Sequence, residues 1–336
     1  MGGGNSFSNN PFTGQPWQRA DLDTLFAGFW ARWENTDPTP QQTQYLSLND
    51  YTVEVVYQSL SVTITGTNPL NVSTGDTGRF IRTAGTPSTG SYSPTFAAAS
   101  MRNSHGTCDA EIAFAPATGA GTVDTVVTAS AAGCSRIAEG VRASASGSIS
   151  TNTATIVVPP QIMIRTVIGE AGGQPGDIDQ MSLLSTAVNR FGVHGFGGAR
   201  DRDSTGRRTG TWQGVLTAPL QYLGSSNQTN TGPDQPLRNA ARVFSGEVGD
   251  IVGGAPCYYS PTYAQFQFIA AALHSGQTEF PIEAEGPKCF KAAVRQIVVK
   301  TSVGANMSPG VLYAGAPAFV FIRERRRRDP AVVRID

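Results

Sequence analysis

Between about residue 45 and residue 158 the chain alternates apolar and polar positions with a period of two, in short runs broken by Gly, Pro, Ser and Asn. Tyr51-Val53-Val55, Leu60-Val62-Ile64, Gly78-Phe80, Ala110-Ile112-Phe114, Val123-Thr125-Val127 and Ala154-Ile156-Val158 each read as a strand. Short strands at this density predict an all-β, immunoglobulin-like sandwich over 45–158.

Elsewhere the period lengthens to that of a helix. Residues 21–34 set Leu22, Leu25, Phe26, Phe29, Trp30 and Trp33 on one face, with Asp21 and Asp23 in the first turn. This amphipathic helix either packs on the chain's own body or docks on a partner, and its few cations argue against an anionic membrane. Beyond Pro159-Pro160 the pattern predicts helices near 161–170, 177–191, 235–246 and 261–274, with Asp177 suited to cap the second. The polar stretch 192–234, which carries Arg200, Arg202, Arg207 and Arg208, reads as one long loop, either a lid or a solvated insertion. Ile297-Val298-Val299 and Phe319-Val320-Phe321-Ile322 predict a small sheet beside the helices. Arg323 and Arg325 to Arg328 read as a solvated basic tail or as an attraction for anionic polymer. The expected organisation is therefore a leader over 1–44, the sandwich over 45–158, a second domain over 159–322 and a tail over 323–336.

Charge narrows the function classes. Formal net charge is zero and charged residues make up 15% of the chain, so no basic surface for nucleic acid is expected. Met1 to Gln18 lacks a basic start followed by an apolar core, and no signal peptide or transmembrane segment is expected. Cys108, Cys134, Cys257 and Cys289 show no Cys-x-x-Cys spacing and the histidines stand apart, so no metal site is expected. An even cysteine count fits an oxidising, extracellular or cell-envelope setting, with sequential pairing placing Cys108–Cys134 in one domain and Cys257–Cys289 in the other. Buried free thiols are the alternative.

The candidate chemistry centres on Glu170. It follows the apolar run Ile162, Ile164, Val167 and Ile168 and precedes Gly172, Gly173, Pro175 and Gly176. A proton donor for glycosidic cleavage needs apolar surroundings that keep its proton in place, and bare backbone admits a bulky substrate. Glu170 reads equally as a helix-end cap or a salt-bridge partner. In Gly253-Gly254-Ala255-Pro256-Cys257-Tyr258-Tyr259, the glycines permit close approach and the tyrosines either stack on sugar rings or pack in a buried turn.

Taken in order, Gly169-Glu170-Ala171-Gly172-Gly173-Gln174-Pro175-Gly176, the helix ending Ala187-Val188-Asn189-Arg190, the segment Trp212 to Tyr222 and the phrase Asn239 to Thr262 resemble the SleB-type cell-wall hydrolase family, the spore cortex-lytic enzyme-like proteins. The resemblance covers about 160–285 and extends toward 322, where Pro317 stands in place of the family's closing histidine. It implies a mainly α, lysozyme-like (α+β) catalytic domain acting on peptidoglycan. It further implies cleavage of the β-1,4 bond between N-acetylmuramic acid and N-acetylglucosamine by a lytic transglycosylase with Glu170 as catalytic residue, a chemistry that requires no cofactor. Asn189, Gln213, Tyr222, Gly254, Tyr258 and Tyr259 would bind substrate along a groove. Hydrolysis would instead need a second carboxylate, for which Asp177, Asp179, Glu247 and Asp250 are candidates. Two alternatives stay open: a non-catalytic surface, assembly or wall-binding protein, and a wall-degrading effector delivered by a secretion machine.

Overall fold

Strand β1 (Ser61–Thr65) opens the part of the chain that the computed structural model describes, which comprises residues 60–105, 107–131, 134–171, 176–191, 210–217, 234–259, 275, 279–281, 295–301 and 319–324. The expected helix 21–34, the strand at 51–55, the helix at 261–274 and the arginines 325–328 lie outside these residues. In chain order there follow β2 (Leu70–Asn71), β3 (Phe80–Thr86), β4 (Ser91–Tyr92), β5 (Thr95–Ala97), β6 (Ser100–Arg102), β7 (Glu111–Phe114) and β8 (Gly119–Ala120). Next come β9 (Thr122–Ser130), β10 (Arg136–Ala145), β11 (Ser148–Ile149) and β12 (Ala154–Val158). Helices α1 (Gln161–Ala171), α2 (Asp177–Arg190), α3 (Trp212–Leu216) and α4 (Asp234–Ser245) precede β13 (Cys257–Tyr259), β14 (Glu279–Pro281), β15 (Arg295–Thr301) and β16 (Val320–Glu324).

One sheet runs β1-β3-β9-β7, antiparallel throughout. Its strands alternate: Val62, Ile64, Ile81, Val123, Val127 and Ala129 point inward and are buried, while the residues between them face solvent. That is the pattern of a sheet covered on one face only. The second sheet is organised by β10, which pairs with β12 and β11 along one edge and with β6 and β5 along the other. Its register with β12 shifts between Ala138 and Val141, at Gly140. Gly140 sits at φ 62°, and a Cβ there would lie 2.9 Å from the Ala99 Cβ, so the bulge and the close approach both need glycine.

This second sheet is covered on both faces. Val141, Ala143, Ala154, Ile156 and Val158 face the first sheet, while Ile137 and Val157 belong to the core formed by the helices. Strand β12 therefore carries the unbroken apolar run Ile156-Val157-Val158, as a strand buried on both sides must. Helix α1 starts directly after Pro159-Pro160, and proline suits a helix start. Its Met163, Ile164 and Val167 pack with Met181, Leu184 and Ala187 of α2, Trp212 and Leu216 of α3, and Leu237 and Phe244 of α4. Polar contacts also cross this junction: the Gln161 amide donates to the Thr74 carbonyl at 3.1 Å, and Arg79 bridges to Asp234. His105 stacks on Phe191 with ring centroids 3.8 Å apart.

These observations correct several expectations. The described part is mostly β, 38% strand against 25% helix, with a sheet curled into a half-barrel, so an immunoglobulin-like sandwich followed by a mainly α, lysozyme-like domain does not describe it. The reason lies in β10, which gathers strands on both edges, and in β13 to β16, which form a four-stranded antiparallel sheet after the helices. The stretch expected as one long loop contains α3, capped by the Thr211 hydroxyl accepting from the Gly214 amide at 2.9 Å, with Trp212 2% exposed. The expected tail begins too early, since Arg323 and Glu324 complete β16. Asp177 does not cap α2; Gly176 holds the cap position with no side-chain bond. The Asp177 carboxylate reaches across to α4 instead, accepting from Gln235, Asn239 and Arg238.

Cys108 and Cys134 are joined by a disulfide across 26 residues, as expected. Cys257 is also disulfide-bonded, and its expected partner Cys289 lies outside the described residues. No described helix is long and apolar enough to cross a membrane.

Replacing Cys108 and Cys134 by serine should lower unfolding free energy by about 2 to 4 kcal/mol, read from urea denaturation of the oxidised protein against the double variant. The amide of Asn239 above all, aided by Gln235 and Arg238, holds the Asp177 carboxyl below its ordinary value. A depressed aspartate contributes stability above its unfolded value of about 3.9 and loses it as pH falls through the folded value. Stability measured below about pH 4 should thus fall less steeply in Asp177→Asn than in the wild type.

Candidate functional site

The residues expected to form a groove separate into those that the fold assembles and those that it does not. Glu170 occupies the last turn of α1, half-buried. A carboxylate there faces the negative end of the helix dipole, which disfavours it by about 0.3 to 1 kcal/mol, and α1 has no basic residue in its last turn. The helix dipole therefore does not explain the acid. The Tyr258 hydroxyl donates to Glu170 Oε2 at 2.6 Å across 88 residues of sequence.

Tyr258 reaches that position because the chain before it is pinned to the end of α2. Asp250 closes a turn: its Oδ1 accepts from the Val252 amide at 3.0 Å and its Oδ2 from the Gly254 amide. Gly253 at φ 62° and Gly254 at φ 77° supply the left-handed backbone this turn needs, which L side chains rarely adopt. Asn189 then ties the turn to the helix, donating to Asp250 Oδ1 and to the Ala255 carbonyl, both at 3.1 Å. One residue on, the Arg190 side chain, with no exposed surface, donates from Nε to the Pro256 carbonyl at 2.5 Å. The next residues form β13, paired in register with β16 as Cys257↔Ile322, Tyr258↔Phe321 and Tyr259↔Val320.

Successive residues of a strand face opposite ways, so Tyr258 and Tyr259 do not form one stacking surface. Tyr258 packs edge-to-face on Phe319 at 5.7 Å between centroids and turns its hydroxyl to Glu170. Burial pushes the Tyr259 phenol above its ordinary value, opposed by the nearby Arg190 charge. Asn189 and Gly254 likewise serve the turn itself, through the bonds given above.

Gln213 falls elsewhere. It is exposed on α3, beside a small cleft lined by Thr107, Cys108, Pro160, Ile162, Thr211 and Trp212. Ile162 lies in the first turn of α1 and Glu170 in the last, about 12 Å further along at 1.5 Å per residue, so Gln213 is not beside the acid. Tyr222 lies outside the described residues. Two residues central to the arrangement carried no site role in the sequence reading: Arg190, named only as the end of a motif, and Phe319, named only as strand. A cue for Arg190 was available, since it follows Ala187 and Leu183 on a helix whose face is otherwise buried.

The four carboxylates considered as a second catalytic group are otherwise engaged. Asp177 is held by α4, Glu247 pairs with Arg242 at 2.6 Å, Asp250 holds the turn, and Asp179 is buried at 2% exposure. Among the described residues no group of His, Cys, Asp and Glu could hold a metal ion.

Asp250→Ala should remove acceptors from two backbone amides and from Asn189, and cost about 1 to 3 kcal/mol of stability in urea denaturation. Asp250→Asn, which keeps one acceptor oxygen, should lose less.

No protein-family model, no curated protein and no solved structure matches this chain, so the family resemblance rests on the quoted motifs alone.

Proposed function

We propose that this chain cleaves peptidoglycan glycan strands between N-acetylmuramic acid and N-acetylglucosamine as a lytic transglycosylase, with Glu170 as its general acid and base. The observation that carries this reading is the hydrogen bond from Tyr258 to Glu170, which joins two of the separated motifs of the family resemblance in space.

The reaction needs one carboxyl group. Protonated Glu170 gives its proton to the bridging oxygen as the bond from the muramoyl C1 to that oxygen breaks, freeing the 4-hydroxyl of N-acetylglucosamine. The resulting carboxylate takes the proton of the muramoyl 6-hydroxyl while O6 bonds to C1, which closes a 1,6-anhydro ring and restores the acid. A hydrolytic course would require a second carboxylate across the cleft, and the four candidates considered are committed to α4, to Arg242, to the turn or to the interior. That favours the ring-closing course. The Cys108–Cys134 disulfide fits work in an oxidising compartment such as the cell envelope.

Glu170→Gln keeps the shape of the side chain and its acceptor oxygen but cannot supply the proton. Release of soluble glycan from purified peptidoglycan should fall by about 10² to 10⁴-fold, with 1,6-anhydro ends in the wild-type digest by mass spectrometry. Wild-type release by Glu170→Gln, or no release by the wild type, would end this reading. Reducing ends in place of anhydro ends would leave the substrate and convert the mechanism to hydrolysis.

A further inference from the structure

The Tyr258 hydroxyl is held from several directions before any substrate arrives. Its strand is paired to β16, its ring lies edge-to-face on Phe319, and it packs against the apolar cluster of the helices and against the smaller one around Leu183, Val252 and Phe321. Upstream, the turn at Asp250 and the bonds from Asn189 and Arg190 fix where β13 begins. A ring so packed is poorly placed to lie flat on a sugar, while its hydroxyl meets Glu170 Oε2 at 2.6 Å.

We infer that Tyr258 is a positioning residue for Glu170, holding Oε2 and with it the plane of the carboxyl group that gives and retakes the proton. This rests on the reading of Glu170 as the general acid. The bond persists through both halves of the cycle: Oε2 accepts from the phenol when it is the carbonyl oxygen of the neutral acid, and more strongly when the group is a carboxylate. A donor that stays engaged keeps the carboxyl plane from rotating between the two proton transfers, so the group keeps one orientation toward the bridging oxygen and then toward the 6-hydroxyl. Tyr259, on the opposite face of β13, has no part in this.

The test compares wild type, Tyr258→Phe and Glu170→Gln on a soluble glycan oligosaccharide prepared from peptidoglycan, with kcat and KM measured separately and melting followed for each. Phenylalanine keeps the ring and its packing on Phe319, so Tyr258→Phe should melt with the wild type, keep KM within about twofold and lose about ten- to a hundredfold in kcat. A Tyr258→Phe enzyme with wild-type kcat, beside an inactive Glu170→Gln, would overturn the role of Tyr258 and leave that of Glu170 standing. A raised KM at unchanged kcat would assign Tyr258 to sugar binding instead, and a large fall in melting temperature would make its role structural. Wild-type turnover by Glu170→Gln would instead remove the reading of Glu170 on which the inference stands.

Discussion

Taking a guanidinium fully out of water costs several kcal/mol unless its donors find acceptors, and the Arg190 side chain has no exposed surface. Its Nε finds the carbonyl of Pro256, which is available only if the chain after Asp250 lies across the end of α2. Neighbouring Asn189 adds two bonds to the same stretch. The end of one helix thus sets the start of β13, and with it the height at which Tyr258 meets α1. The Tyr258–Glu170 bond is a consequence of that arrangement, made between two elements each fixed by other contacts.

A second dependence runs through the sheet built on β10. One face closes the inter-sheet core and the other, at Ile137 and Val157, enters the core of the helices. The helices therefore do not stand apart from the strands that precede them. Gln161 on Thr74, Arg79 on Asp234 and the His105 ring on Phe191 join the same two layers from the periphery. Glu170, at the far end of α1 from the Gln161 anchor, is held by a helix seated on that sheet.

Much of this was legible. Strands β1, β9 and β12 show themselves by alternation of branched residues, because a half-buried strand must repeat every two positions. Helices α1, α2 and α4 fall within a residue or two of their expected limits. β10 was not legible: Arg-Ile-Ala-Glu-Gly-Val-Arg-Ala-Ser-Ala has little β preference of its own. It is a strand because partners bond to both its edges, and its alanines and glycine let them come close. The same gap explains Asp177, whose type suits a cap but whose carboxylate found α4 amides instead.

For the site, the sequence by itself determined Glu170 at the end of a helix, a glycine pair open to close approach at 253–254, and a tyrosine pair beyond it. Local geometry and residue chemistry suffice for each of these. Only the tertiary structure decided that Tyr258 and not Tyr259 reaches the acid, that Gln213 lies toward the other end of α1, and that Arg190 is the buried anchor. Those outcomes depend on strand register and on bonds between residues far apart in the chain, which a local pattern of polar and apolar positions does not encode.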